Sequence, residues 1–353
     1  MREGFLLDPD VAYLNHGSFG ACAAPVFQEY QRLQLELERA PTDFLGRRFH
    51  EAIRAARATM AAFVGARTDD LVFVPNATTG LNAVLRSLAI RPEEEILTTR
   101  HEYGAIRRTL EYARANVVAC EQEDLVESIG VRTRAVLVSH VTSPTARVLP
   151  VEEICEATRR AGVLTIVDGA HAPGHVHVNV AAVGADVYAG NCHKWLGAPK
   201  GSGFLWARRE HHAWIDPLVI SWGYHDEADF GERHGWQGTR DPAAFLAVPK
   251  AIEVHATFDL DGMRELADLA EERLRELGIR RVAGEPAPFM RAFAVRSDDP
   301  AGLWSRLYDE FRVEAPVYEW DGRAILRVSI GPYTDEDDVD RLWEALRALR
   351  VRG

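Results

Sequence analysis

The chain has 353 residues, which at about 100–200 residues per domain predicts about two domains. Its formal net charge of −12 argues against a nucleic-acid partner or an anionic membrane surface, because both favour basic proteins. Its four cysteines form no C-x-x-C pair, which argues against a disulfide framework or a metal site, and no apolar run suits a signal peptide or a membrane span, so we expect a cytoplasmic protein.

Apolar runs alternate with amphipathic helices between about residue 50 and residue 207. The helical period predicts helices over residues 50–64, 78–88, 104–114 and 151–161. Short β-like runs predict strands over residues 71–74, 95–98, 117–119, 135–139, 164–167, 187–189 and 203–206. This alternation predicts an α/β fold in which helices flank a mostly parallel sheet and ligands bind outside the carboxyl ends of the strands.

The pattern changes after the last of these strands. Residues 208–241 are rich in Trp, His, Gly and Asp and predict a long irregular loop, and residues 242–258 predict a helix. A smaller α+β unit is predicted from helices over 262–277, 300–311 and 335–350 and strands over 292–295 and 324–330. We therefore predict a large domain over residues 16–258 and a small domain made of residues 1–15 and 259–353.

Residues that can carry chemistry follow the predicted strands. Asp168 comes directly after an apolar strand, and Lys194 follows the next strand through Gly190. A Schiff base requires a lysine whose amine can lose its proton, which a partly buried site favours. Thr78 and Thr79 open a predicted helix, where unpaired N–H groups and the helix dipole favour an anion; the alternative is plain capping of the helix by threonine.

Six short motifs occur in order along nearly the whole chain, at residues 13–20, 76–80, 101–105, 168–171, 190–195 and 236–240. Together they resemble the class V aminotransferase family of fold-type I pyridoxal 5′-phosphate (PLP) enzymes, and within it the isopenicillin N epimerase-like proteins. The resemblance implies the fold-type I architecture, a small amino-acid-type substrate and a homodimer with shared active sites.

The resemblance also implies PLP as the cofactor, held as a Schiff base on Lys194. In the matching positions, Asp168 would contact the ring nitrogen, His171 the ring hydroxyl and Tyr103 the face of the ring. The remaining implied contacts are to the phosphate: Thr78, Thr79, Asn191, His193 and, from the second subunit, Thr239. His140 stands where relatives often carry an Asn, which leaves its role open.

For the substrate, the resemblance implies that Arg327 binds the α-carboxylate and that Asn15 and His16 approach the bound molecule. An arginine suits a carboxylate because its planar guanidinium can form two parallel hydrogen bonds. An epimerase or racemase is our first hypothesis, with Lys194 removing the Cα proton and a second acid returning it on the opposite face. Candidates for that acid are Tyr103, His140 and His16.

Other reactions stay open because the fold does not choose among them. The second hypothesis is a C–S lyase or another β-lyase, followed by an aminotransferase. A cysteine desulfurase is disfavoured, because no cysteine follows Cys192 and none lies near Arg327. A PLP-fold binding protein without catalysis is a further alternative, and a nicotinamide-dependent enzyme is disfavoured because no G-x-G-x-x-G turn follows a strand.

Overall fold

The computed structural model describes residues 2–353. Its strands fall into three sheets. In chain order they are β1 (Ala12–Tyr13), β2 (Leu71–Val74), β3 (Glu95–Thr99), β4 (Asn116–Cys120), β5 (Thr133–Ser139), β6 (Leu164–Gly169), β7 (Val187–Asn191), β8 (Gly203–Ala207), β9 (Arg280–Arg281), β10 (Met290–Val295), β11 (Val313–Glu314), β12 (Val317–Trp320) and β13 (Arg323–Ser329).

Helices surround these sheets. They are α1 (His16–Phe19), α2 (Ala24–Arg39), α3 (Pro41–Asp43), α4 (Phe49–Phe63), α5 (Ala77–Ser87), α6 (Gly104–Tyr112), α7 (Val151–Ala161), α8 (Val180–Val183), α9 (Phe230–Gly235), α10 (Ala243–Leu246), α11 (Val248–His255), α12 (Leu260–Glu276), α13 (Pro300–Phe311) and α14 (Glu336–Ala348). No helix within residues 2–353 is both long enough and apolar enough to cross a membrane.

The central sheet has seven strands in the order β2-β8-β7-β6-β5-β3-β4. Strand β8 runs antiparallel to both of its neighbours, and the other six strands share one direction. Strands β5 to β8 are almost wholly buried because helices cover both faces, as their continuous apolar runs require. This confirms the predicted α/β fold with a mostly parallel sheet.

The C-terminal residues form a four-stranded antiparallel sheet in the order β12-β13-β10-β9, packed against α12 and α13, and α14 packs on these two helices. The short β1 pairs in parallel with β11, so the N-terminal segment joins this part of the molecule. Its apolar core is separate from those of the central sheet. The domain limits at residues 16, 258 and 259 stay a prediction.

Several elements differ from the sequence prediction, among them the loop predicted over residues 208–241, which contains the short helix α9. The helix predicted over 242–258 is two helices, α10 and α11, because Pro249 in the first turn of α11 has no N–H to continue the earlier hydrogen bonds. Strand β12 was not predicted, although Asp321 and Gly322 form the tight turn, with φ of 50° and 71°, that pairs it with β13. Helix α2 was also not predicted.

Candidate active site

A cavity of about 400 Å³ lies at the carboxyl ends of β5, β6 and β7, beside the first turn of α5. This is the edge at which parallel sheets bind ligands. Eight of the residues singled out from the sequence line it: Thr78, Thr79, Tyr103, Asp168, His171, Asn191, His193 and Lys194.

The amine of Lys194 lies at the floor of this cavity. Its Nζ is 3.0 Å from Nε2 of His171. Burial, together with the positive charge of Arg327, lowers the pKa of Lys194 to about 7, and the negative charge of Asp168 opposes this shift. A large fraction of the side chain is therefore the uncharged amine at neutral pH, which is the form that can form a Schiff base or accept a proton.

Two buried carboxyl groups lie near each other: Asp168, which lines the cavity, and Glu102. Asp168 accepts the Ala170 N–H at 2.9 Å, and burial raises its pKa. Glu102 accepts the Ser139 hydroxyl at 2.7 Å and the Tyr103 N–H at 2.9 Å. Burial and the charge of Asp168 raise the pKa of Glu102 to about 8, so its carboxyl is mostly protonated at neutral pH.

The first turn of α5 faces the cavity from the other side. Asn76 caps the helix, and its Oδ1 accepts both the N–H of Thr79 at 2.8 Å and the Thr79 hydroxyl at 3.0 Å. Asn191, far along the chain, accepts the Ala77 N–H at 2.8 Å. The alternative of capping by threonine is therefore wrong, because two asparagines cap this helix. The hydroxyl of Thr78 lies on the cavity wall without a hydrogen bond to the described chain.

Arg327 on β13 lies behind Ser18 and Ser143, which line the cavity. Its Nη1 donates to the Ser143 carbonyl at 2.9 Å and hydroxyl at 3.1 Å, and its Nη2 donates to the Ser18 hydroxyl at 2.7 Å. The side chain is only about 5% exposed, and within residues 2–353 it has no acidic partner. Asn15 is connected to Arg327 only through Ser18, whose hydroxyl donates to Asn15 Oδ1 at 2.5 Å.

Ser18 is held over the cavity by the turn that follows it. Gly20 has a φ of 68°, and a Cβ there would collide with the main-chain carbonyls of His193 and Lys194. Only glycine fits this close approach. The N-terminal motif at residues 13–20 thus owes its glycine to contact with the loop that carries Lys194.

Five of the singled-out residues do not line the cavity: Arg327 and Asn15, described above, and His140, His16 and Thr239. His140 Nδ1 is 2.7 Å from the Tyr188 hydroxyl, and His16 Nδ1 is 3.1 Å from the Tyr333 hydroxyl. Burial lowers the pKa of His140 to about 4 and that of His16 to about 3, so both are neutral near pH 7. Thr239 is exposed on the loop after α9, where it lines a separate cavity of about 940 Å³.

The family model of Aminotransferase class-V matches residues 25–342. The chain belongs to the class V aminotransferase family. It is 37% identical to an isopenicillin N epimerase of Amycolatopsis lactamdurans over 99% of this chain and 97% of that protein. A probable chloroplastic L-cysteine desulfhydrase of Arabidopsis thaliana is 28% identical over 97% of this chain and 83% of that protein.

Solved structures agree with this assignment. A mutant of C-DES with glycine covalently linked to the PLP cofactor matches 98% of this chain with a TM-score of 0.87 and 21% identity. A complex of the cystine C–S lyase C-DES with its product cysteine persulfide matches 96% with a TM-score of 0.84 and 22% identity. The fold is that of the PLP-dependent class V enzymes, as the sequence predicted, and the cofactor of this protein is PLP.

The side chains of this class V chain suit that cofactor. PLP carries an aldehyde, a pyridine nitrogen and a phosphate, which call for an amine, an acid and N–H or O–H donors. The cavity offers Lys194, Asp168 and the first turn of α5 in turn. Tyr103 lines the same cavity, and its side chain is about 43% exposed.

Sequence reasoning missed several residues of the site in this class V enzyme. Glu102 lies inside the motif at residues 101–105, but only the pairing of β5 with β6 shows that Ser139 brings it beside Asp168. Ser18 and Ser143, which hold Arg327, come from distant parts of the chain. The sequence carries no local signal for these contacts.

Proposed function

We propose that this enzyme moves the Cα proton of an amino acid or amino-acid-derived substrate, and that it is an epimerase or racemase with Lys194 as its PLP lysine. The observation that carries the proposal is the position of Lys194 in the cavity wall, with Arg327 bonded to the neighbouring wall residues Ser18 and Ser143 and without an acidic partner within residues 2–353. Burial also lowers the pKa of the Lys194 amine to about 7. PLP bound there supplies an electron sink that acidifies the Cα–H bond.

Residues of the chain would bind the substrate and transfer its Cα proton. Arg327 would bind the substrate α-carboxylate, displacing its contacts to Ser18 and Ser143, and so orient Cα toward Lys194. Lys194 would accept the Cα proton on one face, since its amine is uncharged at neutral pH. Asp168 would contact the pyridine nitrogen of the cofactor, and the protonated Glu102 lies near Asp168.

An epimerase also needs an acid on the opposite face. Among the three candidates from the sequence, Tyr103 lines the cavity, whereas His140 and His16 are buried away from it and bonded to tyrosine hydroxyls. We therefore propose Tyr103 as the second acid. Tyr103→Phe should abolish inversion but leave Cα exchange with retained configuration, because Lys194 alone can remove and return the proton on its own face.

A C–S lyase or other β-lyase is the second candidate, since relatives of comparable coverage carry desulfhydrase names and C-DES shares the fold. A desulfurase is not proposed. The one cysteine beside the lysine, Cys192, is buried with its Sγ 3.9 Å from Met60 Sδ, and burial raises its pKa. A thiol placed so cannot attack a substrate sulfur.

The test is incubation of the loaded enzyme with L-amino acids in heavy water. Cα deuterium together with the D-isomer supports the epimerase, and pyruvate or ammonia release supports the lyase. An oxo acid formed in a single half-reaction indicates an aminotransferase. Lys194→Ala is the control and should give none of these products. If wild-type enzyme exchanges no Cα hydrogen of any amino acid that perturbs its spectrum, proton transfer at Cα is the wrong assignment.

We also propose a homodimer in which Thr239 of one subunit reaches the phosphate site of the other. The support is its exposure on an irregular loop, away from the cavity of its own chain, beside a larger cavity rich in aromatic residues. Sedimentation of the purified protein tests the oligomeric state directly.

A further inference from the structure

A line of hydrogen bonds runs beneath the cavity from the start of β10 to the amine of Lys194. The Phe289 N–H donates to His175 Nε2 at 3.0 Å, and His175 Nδ1 lies 3.0 Å from the His171 carbonyl. The indole N–H of Trp195 donates to His171 Nδ1 at 3.2 Å, and His171 Nε2 lies 3.0 Å from Lys194 Nζ.

These hydrogen bonds determine which ring nitrogen of His171 carries the proton. An indole N–H can only donate, so Nδ1 of His171 must accept and carries no proton. A neutral imidazole then carries its single proton on Nε2, which faces Lys194 Nζ. Burial and nearby positive charge lower the pKa of His171 well below 6.5, so the ring is neutral. An Nε2–H that donates to Nζ requires a free lone pair there, which only the uncharged amine has.

Trp195 is itself held in place. The backbone N–H of Phe289 obliges His175 Nε2 to accept, so His175 Nδ1–H donates to the His171 carbonyl. The His175 ring stacks on the indole with centroids 3.8 Å apart and an interplanar angle of 23°. His171, His175 and Trp195 are each at most 4% exposed, which leaves solvent little access to these bonds.

We infer that Trp195 is a positioning residue: its N–H fixes His171 as a donor from Nε2 and thereby holds Lys194 as the neutral amine. The other charged groups facing Lys194 are Arg327 from β13 and Asp168 from β6. Arg327 favours the neutral amine and Asp168 the charged one, and the exchange of an indole for another apolar ring changes neither. Trp195 therefore supplies a contribution that these charges do not.

The chain is suited to a direct test because it contains only three lysines, Lys194, Lys200 and Lys250. Full-length protein labelled with ¹³Cε-lysine and freed of cofactor should give three resolvable titration curves. In Trp195→Phe the His171 ring can change to the tautomer that carries its proton on Nδ1. Its Nε2 can then accept a hydrogen bond from the protonated amine of Lys194. Since a hydrogen bond to a charged group strengthens that charged form, the Lys194 pKa should rise by about one to two units.

Matched measurements separate this effect from general disturbance. Lys200 and Lys250 should titrate unchanged in Trp195→Phe. Trp304→Phe removes an equivalent indole bond, 3.2 Å to Glu314, outside the cavity and should leave Lys194 unchanged. A Lys194 pKa that stays the same or falls in folded Trp195→Phe overturns the inference.

A second measurement needs no folded variant at Trp195. In ¹⁵N-histidine-labelled wild-type protein, with the signal assigned by its loss in His171→Gln, the ring should show an unprotonated Nδ1 and a protonated Nε2. A proton on Nδ1 contradicts the inference. Both experiments probe the cofactor-free protein and do not depend on the proposed reaction: an enzyme that fails the heavy-water test can still pass these, and the reverse also holds.

Discussion

Two arginines are buried on neighbouring strands of the C-terminal sheet, and only one of them has acidic partners. Arg291 on β10 is about 3% exposed and contacts Asp268 at 2.5 Å and Glu271 at 3.5 Å. Arg327 on β13 is about 5% exposed and bonds only to neutral groups within the described chain. The pairing of Arg291 with Val328 places the two guanidinium groups on opposite faces of the sheet.

Replacement of each arginine by methionine should therefore have opposite effects on stability. Arg291→Met leaves the Asp268 carboxylate and several main-chain carbonyls without their partner, whereas Glu271 keeps its contacts to Arg275 and Arg281. Because Asp268 is largely exposed, we expect a loss of about 2–4 kcal/mol, toward the lower end for broken buried pairs. Arg327→Met removes a buried charge that has no counter-ion, so the free energy of unfolding should stay constant or rise by up to about 2 kcal/mol.

The effects of the two variants on ligand affinity should be the reverse of their effects on stability. If Arg327 binds the α-carboxylate through two charge-assisted hydrogen bonds of about 1.5–3 kcal/mol each, Arg327→Met should weaken amino-acid binding by about a hundredfold to ten-thousandfold. Folded Arg291→Met should bind within a few-fold of wild type. Urea unfolding gives the stability, and titration of the cofactor spectrum with amino acids gives the affinity.

Either of two results would refute this reasoning. A stability loss in Arg327→Met as large as that in Arg291→Met would make the Arg327 guanidinium a structural brace between Ser18 and Ser143. A loss of affinity below about tenfold would show that the carboxylate binds elsewhere.

Further predictions concern the lysine, the buried acid and the partner subunit. Borohydride reduction of the loaded protein, followed by mass spectrometry, should place the pyridoxyl group on Lys194 and not on Lys250; a modified Lys250 would displace Lys194 from its proposed role. Glu102 has a pKa raised from 4.5 to about 8, so its protonated form stabilises the fold and this contribution is lost as pH rises between those values. Glu102→Gln should gain stability relative to wild type across that range, and parallel unfolding curves at all pH values would contradict the shift. A mixture of Lys194→Ala and Thr239→Ala subunits should show more activity than the separate variants, because one of the two shared sites is intact; no recovery argues against sharing.

The sequence predicted the central sheet well because its signals are local. The buried strands β5, β6 and β7 are continuous apolar runs, and the chemistry-bearing residues follow their carboxyl ends. Asp168 and Lys194 could therefore be placed at one edge of the sheet without coordinates. Strand β12 was missed although the Asp321-Gly322 turn signalled a hairpin, so that error lay in the interpretation and not in the sequence.

The remaining contacts of the site could not be predicted because they join distant segments. Asn191 caps a helix whose first residue, Ala77, lies 114 positions away, and Ser18 meets Arg327 across 309 positions. The indole of Trp195 points at His171 only because a stacked histidine holds it there. Such pairings follow from the packing of whole elements, for which a single sequence carries no periodic signal.

Two buried ionisable side chains at the cavity have no ion-pair partner within the described chain. Within residues 2–353, Asp168 is buried in the cavity wall without an ion-pair partner, and Arg327 is buried without one behind Ser18 and Ser143 of the same wall. Each arrangement costs the free protein stability, since a buried charge is unfavourable until it is paired. A ligand with a cationic ring nitrogen near Asp168 and a carboxylate near Arg327 would offset both costs at once, as the proposed binding of PLP and an amino acid requires.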